Sequence, residues 1–346
     1  MRIAQIAPPW FTIPPARYGG TERVVALLCD GLVARGHDVT LVASGGSHTA
    51  ARLISPLTEP PDPSDLGNEW DDIFHVATAY RSLGEVDVIH DHSGVLGPVL
   101  GAATRSGDGG APIVHTIHGG WTRRSRRHYR MIHDEVQLVA ISDAQRSAQP
   151  DIRIQAVVHN GLDPSQFRFR SEKEERLVFL GRCSPDKGPV EAIEVAARTG
   201  LPIDMLIKVN EPDEVEYWEE AVVPRLHQGV NVIVNADPQQ SVDALGAAMA
   251  LISPLQWEEP FGLVMIEAMA CGTPVLVCPR GAAPEVIEHG VTGWLTDPDD
   301  PVESTVAALG KVHDIDPKAC RERVLAHFTH DVMVDRYVAV YERALR

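Results

Sequence analysis

The stretch from Glu259 to Val277 constrains the fold more than any other, because a break in regular structure, a short helix and a buried strand follow one another in it. Pro260 can neither continue a strand nor lie inside a helix, so it marks the break. From Gly262 onward, apolar residues recur at helical spacing: Leu263, Ile266 and Ala270. A Gly-Thr-Pro run ends that helix, and residues 275–277 are typical of a buried strand.

Two carboxylates occupy different settings in this stretch. Glu259 lies in the loop before the helix, whereas Glu267 lies more than one turn inside it. A helix N-terminus attracts anions, because its unpaired N–H groups and its dipole point toward them. Carboxylates on either side of such a position suit a ligand whose hydroxyls flank a phosphate. A sugar nucleotide is a ligand of this kind.

The whole chain alternates between strand-like and helical runs, which predicts an α/β architecture with parallel sheets. At 346 residues it is long enough for two domains of ordinary size. A polar segment, Asp163–Glu175, is predicted to link them. The pattern also predicts a helix capped by Thr21 and running to about Arg35, an acidic helix near Asp213–Leu226, and two helices after Trp294.

Glu259-x7-Glu267, with Pro260-Phe261-Gly262 and the run Glu-Ala-Met-Ala-Cys-Gly-Thr-Pro, resembles the donor-site signature of family 4 glycosyltransferases. These are retaining enzymes of the GT-B fold. The alternative is an ordinary βαβ crossover with incidental surface carboxylates. Further motifs extend the resemblance over nearly the whole chain: Gly19-Gly20-Thr-Glu-Arg-Val, His118, Asn160-Gly161, Arg182-x4-Lys187 and Gly290-x-Thr-Gly293.

The resemblance implies two Rossmann-like, doubly wound α/β domains that face a central cleft. Residues 1–165 would form the N-terminal, acceptor domain, and residues 166–326 the C-terminal domain that binds the nucleotide-sugar donor. Residues 327–346 would form a C-terminal helix that crosses back to the first domain.

Arg182 and Lys187 follow a predicted strand, and open parallel sheets bind ligands at such strand ends. Cleavage of a sugar from a nucleoside diphosphate develops negative charge on the departing phosphate, which two fixed cations would stabilise. By themselves these residues would be better explained as a solvated Arg/Lys pair at a helix start. By the resemblance they hold the donor diphosphate and replace a metal ion.

The resemblance also assigns roles to the other residues of the donor site. Glu267 would bind the ribose hydroxyls, and Glu259 would orient the donor sugar. The loop at Gly19 and Gly20 would lie near the phosphates and the acceptor. Backbone N–H groups would support sugar and phosphate, and they belong to Phe261, Gly262, Leu263 and Val264.

His118 ends a predicted buried strand and is similar to the family's active-centre histidine, near the hydroxymethyl group of the donor. A lone histidine is otherwise most often a structural residue. A zinc site is the third alternative, since His90, His92 and His115 are nearby in the sequence. Strand geometry argues against it, because residues three apart on a strand point to opposite faces.

A basic cluster directly follows His118: Trp121, Arg123, Arg124, Arg126, Arg127 and Arg130. It is either a solvated helical face or a contact for an anionic acceptor or membrane surface. No general motif of the family includes it.

The composition excludes some functions. A net charge of −17 argues against general nucleic-acid binding, which requires a basic face. Five scattered cysteines without a CxxC pair indicate neither a disulfide framework nor a zinc knuckle, and they fit a reduced, cytoplasmic setting. Neither a signal peptide nor a membrane span is predicted, so membrane contact would be peripheral at most.

Together these patterns predict a retaining glycosyltransferase that moves a sugar from a nucleotide-diphosphate sugar to an acceptor hydroxyl. UDP-sugars are slightly preferred over GDP-sugars as donors, and no cofactor or metal ion is expected. The alternatives are a GT-B sugar-nucleotide epimerase or hydrolase and a non-catalytic nucleotide-sugar binding protein.

Overall fold

A computed structural model describes residues 1–17, 19–62, 65, 67–105 and 110–346. The chain forms two compact units. The first comprises Met1–Gly161 and His330–Arg346, and the second comprises Leu162–Thr329. The boundaries expected from the sequence were 165/166 and 326/327.

The first unit is built on a seven-stranded parallel sheet in the order β3-β2-β1-β4-β5-β6-β7. Its strands are β1 (Arg2–Ile6), β2 (Asp38–Val42), β3 (Arg52–Ile54), β4 (Val88–Asp91), β5 (Ile113–Ile117), β6 (Gln137–Ala140) and β7 (Ala156–Val157). The order reverses between β1 and β4, as it does in doubly wound folds. Ligand sites in such folds lie at that reversal, beyond the carboxyl ends of the strands.

Helices cover both faces of the first sheet. They are α1 (Gly20–Ala34), α2 (Glu69–Ser82), α3 (Leu96–Arg105), α4 (Arg123–Ile132), α5 (Asp143–Ser147) and, from the end of the chain, α13 (His330–Ala344). A core of strand residues such as Ile6 and Ile89 packs against Tyr80 and Tyr129 of α2 and α4. On the other face Tyr337 and Tyr341 of α13 are fully buried, and α13 also packs on α1.

The second unit repeats this plan with a six-stranded parallel sheet in the order β10-β9-β8-β11-β12-β13. Its strands are β8 (Glu174–Arg182), β9 (Ile203–Lys208), β10 (Val230–Val234), β11 (Ala248–Ser253), β12 (Val275–Val277) and β13 (Gly293–Leu295). Its helices are α6 (Pro189–Thr199), α7 (Pro212–Tyr217), α8 (Pro238–Ala247), α9 (Leu263–Ala270), α10 (Ala283–Val286), α11 (Pro301–Leu309) and α12 (Pro317–His327). Here the order reverses between β8 and β11.

The structure corrects several sequence expectations. Helix α1 begins at Gly20 with Gly19 as its N-cap, so Thr21 is not the cap. The acidic helix near Asp213–Leu226 is interrupted, because α7 ends at Tyr217 and is followed by π- and 3₁₀-helical turns. Three helices rather than two follow Trp294, namely α11, α12 and α13.

The segment expected to be a linker, Asp163–Glu175, lies within the second unit and is packed there. Phe167 is buried, and the Arg170 N–H donates to the Cys271 carbonyl over 3.1 Å. Lys173 inserts its ammonium among three acceptors, the carbonyls of Gly246 and Cys271 and the Thr273 hydroxyl. Burial lowers the pKa of Lys173 to about 8.

Two further expectations concern the cysteines and the membrane. All five cysteines are buried and free, and burial raises the thiol pKa of each. No helix in the described ranges has both the length and the apolar character that crossing a membrane would take.

Candidate functional site

In the second unit, two loops that follow neighbouring strands meet at the strand-order reversal. Strands β8 and β11 pair in parallel, so the segments after Arg182 and after Ser253 leave the sheet side by side. The Gln256 N–H donates to the Asp186 carbonyl over 2.9 Å and ties one segment to the other. This brings together two motifs that lie about seventy residues apart in the sequence.

Lys187 and Glu259 are in direct contact. The Lys187 ammonium donates to the Glu259 carboxylate, and the Trp257 indole N–H donates to the same oxygen over 3.0 Å. The ammonium also lies 4.6 Å from the centre of the Trp257 ring, within the range of a cation–π interaction. Glu259 is buried and Lys187 is nearly so, and a pair held this way is less screened than a surface ion pair.

Arg182 ends β8 and has a second carboxylate as its partner. Its guanidinium donates to Asp186 over 3.0 Å, and about a third of the side chain remains exposed. Asp186 and Lys187 belong to one 3₁₀ turn, which puts both expected cations of the motif at the same strand end.

Glycines allow the loops of this cluster to approach closely. Gly188 adopts a left-handed conformation, and a Cβ there would lie 2.4 Å from the Pro254 carbonyl oxygen. Gly281 is also left-handed, and a Cβ there would lie 2.1 Å from the Glu259 carbonyl oxygen. The backbone at Glu259 is therefore held against a third loop, in which the Ala282 N–H donates to that carbonyl.

Helix α9 begins at Leu263, with left-handed Gly262 as its N-cap. No cap side chain bonds its first turn, so the early N–H groups, including those of Leu263 and Val264, have no partner inside the helix. Phe261 is buried and packs edge-on against Phe328 at 5.9 Å. Glu267 lies on a half-buried face of α9.

The first unit holds the other expected residues. Gly19 has a φ of 150°, and a Cβ there would lie 2.8 Å from Pro15 and 2.9 Å from a Glu22 carboxylate oxygen. Gly20 begins α1. Glu22 is buried beside this loop, and burial raises the pKa of its carboxyl group.

His118 directly follows β5 and contacts the histidine that follows β4. Its Nε2 lies 2.8 Å from His92 Nδ1, and His92 Nε2 lies 2.9 Å from the Gln5 side-chain oxygen. Burial lowers the pKa of His118 to about 3, with a smaller lowering effect from His115. Burial also holds the pKa of His92 well below its usual value, so both imidazoles are neutral at physiological pH.

The hydrogen bonds continue from Gln5 to the C-terminal helix. The Gln5 side-chain amide donates to the Tyr341 hydroxyl over 3.0 Å, and that hydroxyl lies 2.7 Å from His90 Nδ1. His90 Nε2 lies 2.8 Å from the Thr116 hydroxyl, which in turn lies 2.9 Å from the Tyr337 hydroxyl. We call this series from His118 to Tyr337 the polar chain. All its members except His118 are fully buried or nearly so.

A cavity of about 150 Å³ lies beside His118 in the first unit. His92, His115, Ser125 and Tyr129 contribute to its lining. His115 Nε2 is 2.9 Å from the Tyr129 hydroxyl, while its Nδ1 has no hydrogen-bond partner among the described residues.

These contacts bear on the zinc alternative. His90 and His92 each use both ring nitrogens in hydrogen bonds to protein groups, so a metal ion would have to displace those bonds. His115 and His118 point to different neighbours, Tyr129 and His92. The four histidines are therefore arranged for hydrogen bonding.

The basic cluster forms α4, capped by Thr122. Arg123, Arg124 and Arg127 are exposed, whereas Arg130 pairs with Asp151. The opposite side of the helix is buried through Tyr129 and Ile132. Trp121, just before the cap, donates its indole N–H to the Gln145 carbonyl over 2.8 Å and lies edge-on to the Tyr129 ring.

Sequence reasoning did not identify Trp257, Gln5 or Tyr341 as neighbours of the candidate residues. Trp257 lies two positions before Glu259, so an aromatic residue beside the motif was a usable signal. Gln5 and Tyr341 are separated by 336 positions, and nothing in their local sequence indicates that they meet.

Two family models match the chain and together span most of it. Residues 18–166 match the family described as Glycosyltransferase Family 4, and residues 164–322 match the one described as Glycosyl transferases group 1. A phosphatidyl-myo-inositol mannosyltransferase of Mycobacterium tuberculosis is 27% identical over an alignment that covers 100% of this chain and 92% of that protein.

Two solved structures share the fold. AviGT4, a glycosyltransferase involved in avilamycin A biosynthesis, is 25% identical, with a TM-score of 0.70 over 100% of this chain and 98% of that one. Anabaena HepE, solved in complex with UDP-glucose, is 18% identical, with a TM-score of 0.73 over 99% of this chain and 100% of that one. The protein belongs to glycosyltransferase family 4 and is a glycosyltransferase of the GT-B fold.

Proposed function

We propose that this glycosyltransferase transfers a hexose from a nucleotide-diphosphate sugar to an acceptor hydroxyl with retention of the anomeric configuration. UDP-sugars are the favoured donors, ahead of GDP-sugars. Arg182 and Lys187 bind the diphosphate, Glu267 binds the ribose, and Glu259 orients the sugar. His118 lies near the hydroxymethyl group of the donor, and the loop at Gly19 and Gly20 lies near the phosphates. Backbone N–H groups just before α9 and in its first turn complete the donor site, and they belong to Phe261, Gly262, Leu263 and Val264.

The observation that carries this proposal is the contact between Lys187 and Glu259 at the carboxyl end of the second sheet. A cation fixed by a carboxylate and an aromatic ring needs little reorganisation when charge develops on a departing phosphate. Arg182 at the same strand end supplies a second cation. The UDP-glucose complex of HepE, which shares the fold, supports UDP as the nucleotide.

The contacts of Glu259 bear on the route to retention, because double displacement and front-face transfer both keep the anomeric configuration. A double-displacement mechanism needs a carboxylate free to attack the anomeric carbon. The Glu259 carboxylate instead accepts from Lys187 and Trp257. This favours front-face transfer, in which the leaving phosphate helps to deprotonate the acceptor. The anomeric proton coupling of the transferred sugar in the glycoside product, read by NMR, tests retention, and an inverted product would refute it.

A thermal-shift panel of UDP-, GDP- and ADP-sugars tests the donor. A ligand at 100 times its dissociation constant adds about 2.7 kcal/mol of stability, which is easily measured. UDP-sugars are expected to raise the melting temperature of the protein more than GDP-sugars or ADP-sugars do. Turnover of the donor without any acceptor would instead favour an epimerase or hydrolase, and binding without any turnover would favour a binding protein.

Metal independence is part of the proposal, because Arg182 and Lys187 provide the positive charge that a metal ion would otherwise supply. Activity should persist after treatment with EDTA. Loss of activity in EDTA with recovery in Mg²⁺, Mn²⁺ or Zn²⁺ would overturn this part and leave the transfer reaction itself intact.

A further inference from the structure

The polar chain has a direction between Gln5 and His118, because a neutral imidazole that donates at one ring nitrogen must accept at the other. Gln5 donates through its amide nitrogen to Tyr341, so its side-chain oxygen faces His92 and accepts from His92 Nε2. A neutral imidazole carries one N–H, so His92 Nδ1 is then an acceptor. The proton between His92 and His118 therefore belongs to His118 Nε2.

The other branch of the polar chain starts from the same Gln5 amide. Tyr341 accepts from Gln5, so its single hydroxyl proton is available for His90 Nδ1 at 2.7 Å. His90 can then accept on Nδ1 and carry its proton on Nε2, which faces the Thr116 hydroxyl at 2.8 Å. Reversing the Gln5 amide would reverse the branch through His92 and His118, because each neutral imidazole carries only one N–H.

We propose that Gln5 and Tyr341 are positioning residues that hold His118 in the tautomer with its proton on Nε2. His118 Nδ1 then presents a lone pair to the ligand. Within the described part of the chain, Nε2 is the only nitrogen of His118 that makes a hydrogen bond. The histidine is thus a hydrogen-bond acceptor toward the donor sugar.

The fixed tautomer of His118 makes the site discriminate among donor sugars. This donor selectivity rests on the proposed function, in which the hydroxymethyl group of the donor sugar lies near His118. A hydroxymethyl group can donate its proton to Nδ1. A uronate carboxylate has no proton to give and would face a lone pair, and a pentose has no group there at all. Burial lowers the pKa of His118, which disfavours the cationic form that would pair with a carboxylate. The site should accept hexoses and discriminate against uronic acids and pentoses.

Nitrogen-15 NMR of ¹⁵N-histidine protein tests the tautomer directly and independently of any activity. The His118 resonances are assigned by their loss in His118→Asn. A protonated Nε2 and an unprotonated Nδ1 are expected in the full-length protein without ligand. The opposite pattern would overturn the proposal.

Two matched variants on α13 test the positioning role. Tyr341→Phe removes the hydroxyl that orients Gln5, so the His118 signals should shift toward a mixture of tautomers. Tyr337→Phe removes a hydroxyl one turn away on the same helix, at the far end of the polar chain, and should leave the tautomer of His118 unchanged. Equal responses in the two variants would indicate a merely structural effect and refute the assignment.

Gln5→Glu provides a conservative test, because a carboxylate can still accept from both His92 and Tyr341. It should keep the Nε2–H tautomer of His118, whereas Gln5→Met should lose it. Loss in both variants would count against Gln5 as the residue that fixes the direction.

The donor selectivity is tested by measuring the dissociation constants of UDP-glucose, UDP-glucuronic acid and UDP-xylose. The dissociation constants of UDP-glucuronic acid and UDP-xylose are expected to be at least tenfold higher than that of UDP-glucose. Tyr341→Phe should reduce this difference without changing the affinity for UDP. Equal affinities for UDP-glucose and UDP-glucuronic acid would refute the expected discrimination against uronic acids. If no UDP-sugar binds, the proposed donor fails, while the NMR result still decides the tautomer.

Discussion

The two units share one strand order but arrange polar groups differently at their sheets. In the first unit the buried groups include four histidines, His75, His90, His92 and His115, which bond to neutral partners such as Gln5 and tyrosines. In the second unit the polar groups at the sheet edge are ion pairs: Lys187 with Glu259, Arg182 with Asp186, and Lys208 with Glu211 and Glu214.

This difference shows what each sheet edge can recognise. Neutral imidazoles and hydroxyls make directional hydrogen bonds but contribute no net charge, which suits sugar hydroxyls. Cations held at a strand end attract an anion that arrives with its own charge, which suits a diphosphate. One fold therefore offers two kinds of chemistry, and the following experiments separate them.

Acid should destabilise the first unit selectively, and this is the largest effect expected. Burial lowers the pKa of His90, His92 and His118 below the 6.5 of an unfolded histidine. The unfolded chain therefore binds more protons at low pH, so stability is present above about pH 6.5 and is lost as pH falls. The three groups act in the same direction, so the free energy of unfolding of the first unit should fall between pH 7.5 and 5.5.

Hydrogen exchange with peptide resolution, corrected for intrinsic rates, measures this loss. Protection of β1, β4 and β5 should fall at pH 5.5, while β8, β9 and β11 in the same sample serve as the internal control. Equal loss of exchange protection in both units would refute the selective acid destabilisation of the first unit.

The charged edge of the second unit should be essential for turnover. Lys187→Ala or Arg182→Ala should lower kcat by two or more orders of magnitude, because each removes a cation fixed where negative charge develops. Arg198→Ala is the matched control, since Arg198 forms only exposed pairs with Glu194 and Glu303. Near-normal turnover in both the Lys187→Ala and the Arg182→Ala variant would exclude a role for these two residues at the leaving group.

The fold was largely predictable from the sequence because the strands are buried on both faces and appear as continuous apolar runs. Residues 275–277 were predicted at their observed bounds. Helix α2 was missed, because it exposes Trp70, Ile73 and Phe74 while burying His75, which reverses the expected pattern.

The candidate site was predictable only where a motif is local in the sequence. The proximity of Lys187 and Glu259, 72 positions apart, follows from the pairing of β8 with β11. The polar chain depends on Tyr341 of a C-terminal helix packing on the first strand. Neither a propensity nor a spacing encodes such a contact, so it emerged only from the structure.

The two glutamates should differ in what they recognise. Glu267→Gln should weaken binding of the free nucleotide about tenfold or more, because a carboxylate that accepts from two ribose hydroxyls loses one acceptor. Glu259→Gln should leave the affinity for UDP nearly unchanged and lower transfer, because it acts on the sugar. Calorimetry with UDP and steady-state kinetics measure the two effects. Equal losses of UDP affinity would contradict the assignment.

The exposed arginines of α4 add positive charge to the first unit outside its histidine cluster, and they are expected to have the smallest effect. Arg123, Arg124 and Arg127 face solvent, whereas Arg130 is committed to Asp151. If the three recruit an anionic acceptor, changing them together to Gln should raise the acceptor KM severalfold and leave donor affinity unaltered. The change should fade as salt rises, because exposed charges are screened over about 8–10 Å near physiological ionic strength. Arg130→Gln is the matched control, and an acceptor KM unchanged at low salt would identify α4 as a solvated face.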